Sequence, residues 1–365
     1  MKNIIDYVKN EMNTFDDKPF CPVDSLVLSE CAYINLIPVA SLSENRKPMR
    51  LRELLRAENF DMMFFEVRDA EKNRELLFAL AASPRFRDIE VNFFVNEIAE
   101  EQQKQFAAAT FLLNGCAYIA FRGTDTTTVG WKEDFNMAFL SPIPSQEAAL
   151  SYALGVTKRV RRKIMLGGHS KGGNLAVYSA MMLPPGVQKR IISVFSHDGP
   201  GFRDNVFETE EFKRISGRID KTLPQSSLIG MLLEHQEKYS VVKSSRIGIM
   251  QHDPFSWVVN EDEFFVIEKI SSGARHANKT LADWLSTLSN EERERFADGL
   301  YAILQVSGIT SFSEFASDWK SSVPAMLTAL TSVDAETKKF IFKAFRALAK
   351  MALKNLAPPK LKAEK

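Results

Sequence analysis

The pattern of apolar and polar positions changes character twice along the 365 residues. Residues 1 to about 60 predict short helices. In DSLVLSECAYINLIPV, apolar positions recur at helical spacing behind Asp24, a residue type that caps helices. Residues 61 to 85 carry mixed helical signals. From Asp88 the pattern shifts to β-rich runs: IEVNFFVNEI, FAAATFLL and CAYIAFRG. A polar stretch separates the first two, and Asn114-Gly115, a strong hairpin signal, separates the last two. Strands and helices then alternate. The helix SQEAALSYALGVTKRVRR leads into the strand KIMLGG, and the helix GGNLAVYSAMML leads into RIISVFS. RIDKTL and KYSVVKSS are further strand candidates, and residues 280 to 356 predict helices throughout. Antiparallel strands followed by strand–helix alternation predict an α/β protein. Its mixed, mainly parallel sheet should carry helices on both faces, with helical extensions at each end. The corresponding parts are 1–85, an N-terminal helical part of the main domain; 86–270, its α/β core; and 271–365, a C-terminal helical appendage.

Composition narrows the picture by exclusion. Apolar content of 45% and charged content of 25% suit a globular chain long enough to bury a large core. A net charge of +1 selects neither nucleic acid nor a membrane, so no nucleic-acid partner is expected. Cys21, Cys31 and Cys116 form no C-x-x-C, which points away from a disulfide framework or a zinc site. The segment MKNIIDYVKNEMNTFDDK is too charged for a signal peptide, and no run of about 18 apolar residues occurs. The expected location is the cytoplasm.

Candidate chemistry starts at Gly168-His169-Ser170-Lys171-Gly172, a G-x-S-x-G motif between an apolar strand and a helix. That setting is what a nucleophile elbow needs. The turn strains and exposes the serine, the flanking glycines let neighbouring backbone approach, and the helix N-terminus supplies N–H groups and a positive dipole end. A Gly-rich turn that binds phosphate or nothing is the plainer alternative, but the P-loop spacing is absent. With Ser170 as nucleophile, the N–H of Lys171 is one oxyanion donor. Thr124, in Phe121-Arg122-Gly123-Thr124-Asp125 after CAYIAF, sits where the second belongs.

FRGTD, Trp131-Lys132-Glu133-Asp134 and GHSKGGN together resemble the class 3 (fungal-type) lipases, with their FRGT or FRGS oxyanion segment, W-x-x-D and GHSLGG elbow. More closely, DSLVLSECAYINL, GHSKGGNLA, DGPGF, GMLLEH and MQHDPFSW look like a bacterial family of lipase-like α/β hydrolases, over most of residues 24 to 260. The resemblance implies an α/β-hydrolase fold and a serine hydrolase reaction, and leaves the substrate open. It implies Thr124 as the oxyanion residue and Asp134 as a structural acid. Lys171 departs from the pattern, since those lipases usually carry an apolar residue there. A side chain directed into solvent is expected, with recognition of an anionic substrate as the alternative.

A serine needs a histidine base and an orienting acid, in the chain order Ser, acid, His for this fold. Of the five histidines, His169 lies inside the elbow and should point away from the site as packing. His252, in Gln251-His252-Asp253-Pro254-Phe255-Ser256-Trp257 after the last candidate strand, is the best base; a surface histidine bonded to Asp253 is the alternative. His235 should bond locally in a helix-like stretch, and His276 should be exposed. His197 precedes the first acid candidate. Asp198, at the end of the strand after the elbow and before a Gly-Pro-Gly loop, leads; a turn-forming role is its alternative. Asp220 is the rival, because the lipases carry their acid just before a proline one strand later, and Glu234 is a third choice. No metal or organic cofactor is expected.

The C-terminal stretch TKKFIFKAFRALAKMALKNL is basic and amphipathic. Lys339, Lys343, Arg346, Lys350 and Lys354 share one face, and Ile341, Phe345, Leu348, Ala352 and Leu356 share another. Such a helix either packs on its domain with solvated lysines or lies on anionic lipid through residues 337–356. The reading as a whole is hydrolysis of small-molecule or lipid acyl esters through an acyl-enzyme. Its rival is a hydrolase-fold interaction or lipid-surface binding protein without catalysis.

Overall fold

A computed structural model describes residues 1–39, 47–65, 67–125, 127–137, 139–203, 206–233, 238–307, 324, 328–330 and 333–356. The chain divides into two compact units, Met1–Lys269 and Ile270–Lys365.

The first unit is built on strands β1 (Met49–Arg50), β2 (Glu90–Ala99), β3 (Lys104–Leu113), β4 (Cys116–Phe121), β5 (Lys163–His169), β6 (Ile191–His197), β7 (Ile219–Pro224), β8 (Tyr239–Val242), β9 (Val259–Asn260), β10 (Glu263–Phe264) and β11 (Val266–Ile267). One nine-stranded sheet runs β1-β2-β3-β4-β5-β6-β7-β8-β11, and β9 and β10 form a separate pair. The four pairings from β4 to β8 are parallel. The pairings of β1 through β4, and of β8 with β11, are antiparallel. The sheet is therefore mixed, with its parallel strands at the centre.

Numbering helices of seven residues or more, this unit holds α1 (Ile4–Asn10), α2 (Pro22–Cys31), α3 (Ala70–Ala82), α4 (Thr128–Asn136), α5 (Pro144–Arg159), α6 (Lys171–Met182) and α7 (Glu210–Ser216). Strand alternation explains why helices cover both faces. Tyr118, Ala120, Met165 and Phe195 point into a core shared with Ile4, Leu26 and Leu77 from α1, α2 and α3. Their neighbours Ile119, Phe121, Leu166 and Val194 point into a second core with Ala149, Leu175 and Phe212 from α5, α6 and α7. The N-terminal helices thus pack on the main sheet. Arg85 locks them in place, donating to both oxygens of the buried Asp24 at 2.8 and 2.6 Å. Asp24 is not the helix cap: Pro22 opens α2, and Asp24 accepts from the Cys21 N–H at 2.9 Å. At Asn114-Gly115, β3 turns into β4 with Gly115 at φ +76°, a left-handed backbone that favours glycine.

The second unit contains α8 (Ser272–Ser286), α9 (Asn290–Ser307) and α10 (Ala335–Leu356). Phe296 sits between Trp284 and Phe345, with ring centroids at 5.0 and 5.8 Å. Ile341 of α10 is buried where a Cβ on Gly299 would come within 2.9 Å of its Cδ1. No described helix is long and apolar enough to cross a membrane.

Candidate active site

Ser170 stands between β5 and α6 with φ +59° and ψ −133°, a backbone that L-residues adopt only under constraint. Its N–H donates to the His197 carbonyl at 2.9 Å. The glycines around it are required by close approach. A Cβ on Gly168 would lie 2.4 Å from the Gly172 oxygen, and one on Gly172 would lie 2.1 Å from the Phe121 oxygen.

The loops beyond β6 and β8 bring the other two groups to Ser170. His252 ends a 3-10 turn, Gly248–His252, and its side chain keeps 15% of its surface exposed. Its Nε2 lies 2.9 Å from the Ser170 Oγ and its Nδ1 lies 2.6 Å from Asp198 Oδ2. The tautomer with Nδ1–H donating to Asp198 and Nε2 accepting from the Ser170 hydroxyl satisfies both contacts. Asp198 is fully buried at φ +50°. Its second oxygen accepts from Ser227 Oγ at 2.5 Å and from the Gly230 N–H at 3.1 Å. Gly230 is needed there, because a Cβ would fall 2.4 Å from Asp198 Oδ1. Asp220 lies in β7, in register with Phe195, and its partial burial raises its carboxyl above the usual range. It is not the partner of His252. Glu234 and His235 lie outside the described residues. Asp253 also does not hold His252; it caps the next turn at Phe255 and pairs with Arg246 and Lys72.

His169 is packed as expected but does not turn away from the site. Its Nε2–H donates to the His252 carbonyl oxygen at 2.9 Å, and the two rings lie 4.6 Å apart at 34°. Burial first, then the neighbouring His252, holds its pKa well below the usual value, so it stays neutral. Glu30 Oε1 lies 3.6 Å from His169 Nδ1, beyond hydrogen-bond range. Burial pushes the Glu30 carboxyl up to about 8 despite the opposing charge of Arg68. His197 is buried too, with Nε2 2.9 Å from Ser25 Oγ, and burial lowers its pKa to about 3. His276 is half-buried in α8 of the second unit rather than exposed.

Thr124 lies in the loop after β4, folded against the elbow: a Cβ on Gly123 would sit 2.6 Å from the His169 oxygen and 3.1 Å from Ser170 Cβ. The Thr124 hydroxyl donates to Asp134 Oδ1 at 2.7 Å. Arg122 and Asp125 close the loop with an ion pair at 2.9 Å. Burial lifts the Asp134 carboxyl to about 6, with Lys171 the leading influence pulling it down. Lys171 corrects the sequence expectation. Its side chain is buried, not solvated, and its Nζ donates to Glu133 Oε2 at 2.7 Å and to both Gln105 O and Oε1 at 2.9 Å. Sequence reasoning missed this pairing because a lysine on a helix surface is normally solvated. The signal within reach was the adjacent pair Glu133-Asp134 beside an unexpected lysine. Among the described residues, no group of three or more His, Cys, Asp or Glu is placed to hold a metal ion.

A central parallel sheet, a strained serine between strand and helix, and a Ser–His–Asp chain from successive loops define a lipase-like α/β-hydrolase fold. The chain belongs to the Mbeg1-like family, whose profile matches residues 80–302. Among solved structures it is similar to the Rhizomucor miehei lipase in complex with its propeptide, at 14% identity over 59% of this chain and 65% of that one, with a TM-score of 0.37. Lipase II from Rhizopus niveus matches at 14% identity over 67% of this chain and 93% of that one, with a TM-score of 0.36. A comparison with curated proteins finds no match.

Proposed function

We propose that this protein is a serine hydrolase that cleaves acyl esters through an acyl-enzyme. One observation carries the reading: the unbroken chain from Ser170 Oγ through His252 to Asp198, with steps of 2.9 and 2.6 Å, on an elbow at φ +59°. As Ser170 Oγ attacks the ester carbonyl carbon, His252 Nε2 takes its proton and Asp198 stabilises the imidazolium. The N–H groups of Thr124 and Lys171 donate to the oxyanion that forms. Collapse of the tetrahedral intermediate expels the alcohol, which takes the proton from His252. Water, deprotonated by His252, then attacks the acyl carbon; collapse breaks its bond to Ser170 Oγ, which takes the proton back from His252 as the carboxylic acid leaves. The neutrality of His169 supports this role for His252, because a cation 4.6 Å away would oppose its protonation.

Hydrolysis of short p-nitrophenyl esters by the wild-type chain, and its loss in Ser170→Ala, tests the reaction class. Equal rates from both proteins would refute it. For substrates in lipid, α10 is the proposed contact: Phe342, Phe345 and Leu353 are exposed beside the exposed Lys339, Lys343, Arg346 and Lys350. Lys354 and Leu356 fall outside the described side chains, as do residues 357–365 entirely. Binding to anionic vesicles should weaken as salt rises beyond physiological strength. No sedimentation with anionic vesicles at low salt would end the membrane reading.

A further inference from the structure

The two residues assigned as oxyanion donors share an anchor. Thr124 is held through its hydroxyl by Asp134, and Lys171 through its ammonium by Glu133. Those two acids are neighbours on α4. The helix reaches this position because Gly130, one turn earlier, leaves room: a Cβ there would lie 2.9 Å from Thr124 Cγ2 and 3.2 Å from Gln105 Oε1. Glu133 is itself fixed from three sides. Beyond Lys171, it accepts from the Gln105 N–H at 3.2 Å and the Ser145 N–H at 2.8 Å. Lys171 in turn spends its three N–H donors on Glu133 and the two oxygens of Gln105 in β3.

We propose that the Lys171 side chain is a positioning group for the oxyanion hole. Its ammonium, clamped by Glu133, ties the elbow to the helix whose next residue holds Thr124, and so sets the separation of the two donating N–H groups. The proposal rests on the serine hydrolase reading for the identity of those donors. A buried ion pair is a poor device for stability alone, since well-packed apolar residues do as well or better. Its distinctive property is directional. Charged hydrogen bonds fix distance and angle where an apolar contact allows sliding. Oxyanion catalysis depends on donors fixed before the reaction, at about 3 Å from where charge develops. The Lys171 charge is also the leading influence opposing the burial that raises the Asp134 carboxyl to about 6.

The test compares wild type with Lys171→Met/Glu133→Gln, which removes both charges together and leaves one amide oxygen to accept from either the Ser145 or the Gln105 N–H. Hydrogen exchange of the peptide spanning Arg122 to Asp125 is measured alongside kcat and KM on a p-nitrophenyl ester. The double variant should stay folded, exchange that peptide about fivefold faster or more, and lose about 10- to 100-fold in kcat with KM within about threefold. Glu133→Gln alone, which loosens the clamp and keeps the lysine, should show the same pattern at about a third of the size. It serves also if the double variant fails to fold. Unchanged exchange would overturn the proposal, and so would faster exchange with wild-type kcat. If wild type neither hydrolyses esters nor reacts with a fluorophosphonate, the hydrolase reading fails, and exchange alone still decides whether Lys171 anchors the loop.

Discussion

The two flanks of Ser170 are built on opposite principles. On one side, Asp198 and His252 come from separate loops beyond β6 and β8; His252 alone meets Ser170, Asp198 stands behind it, and His252 is partly open to solvent. On the other, Lys171 is pinned by the buried Glu133 and Gln105 and Thr124 by the half-buried Asp134, drawn from α4 and β3. In the proposed reaction His252 takes up and releases a proton, and its side chain keeps 15% of its surface exposed, whereas Asp198 behind it is buried. The oxyanion side must not move at all, so it is over-determined. Damage to the relay should therefore cost chemistry with little stability. Damage to the oxyanion side should cost both.

The largest expected effect is at the centre. Ser170→Ala should lower kcat by about a millionfold while the melting temperature stays within about 2 °C, because only one hydroxyl leaves. Residual activity above about a hundredth of wild type would remove Ser170 from its role. Next comes the relay. Asp198→Asn should cost about 10⁴ in kcat by disfavouring the required His252 tautomer. Asp220→Asn, one strand away, should stay within about threefold of wild type. Comparable losses in both would mean that the 2.6 Å contact is not the orienting one.

On the oxyanion side, Thr124→Val keeps the shape but removes the hydroxyl that Asp134 accepts from. It should lower kcat about tenfold and, unlike Asp198→Asn, also lower the melting temperature, because the half-buried Asp134 carboxyl loses its partner. A variant with full activity and full stability would show the loop to be held by other means.

The smallest effect concerns the buried acid behind His169. Glu30 keeps its proton in the folded chain up to about pH 8, whereas the unfolded chain releases it near the ordinary 4.5. The folded state thus binds the extra proton across that window. The stability this contributes is complete below the ordinary carboxyl range and is lost as pH rises through about 8. Glu30→Gln should therefore gain on wild type in melting temperature between about pH 5 and about pH 9, by a few degrees. A pH-independent difference would mean that Glu30 does not titrate there.

How much of this was legible in the sequence follows the same division. The β5–Ser170–α6 elbow is local, and its strand, turn and helix are written in consecutive residues. His252 is reachable because five histidines leave few choices and it follows the legible strand β8. The acid stays open in the sequence, because the strand bounds around RIDKTLP are not legible: Asp198 directly follows the carboxyl end of β6, whereas Asp220 falls near the amino end of β7. What separates them is a positive φ at Asp198 and contacts from Ser227 and Gly230, 29 and 32 residues onward. The Lys171 side chain was misread for the same physical reason: its partners lie 38 and 66 residues upstream, and no local pattern marks a lysine that tertiary structure will bury. The basic C-terminal helix was legible as a helix, but its surroundings were not. In the second unit Ile341 is buried, whereas Phe345, on the same face, is about half exposed beside Phe296.

The central claim is that Ser170 is a nucleophile made reactive by His252. Intact-protein and peptide mass spectrometry after treatment with a fluorophosphonate tests it most directly. The account predicts one adduct, located on Ser170 within the peptide containing Gly168 to Gly172, formed rapidly by wild type and not by His252→Ala over the same time. Absence of any adduct on the folded wild-type chain, an adduct on another residue, or equal labelling of the His252→Ala variant would contradict it.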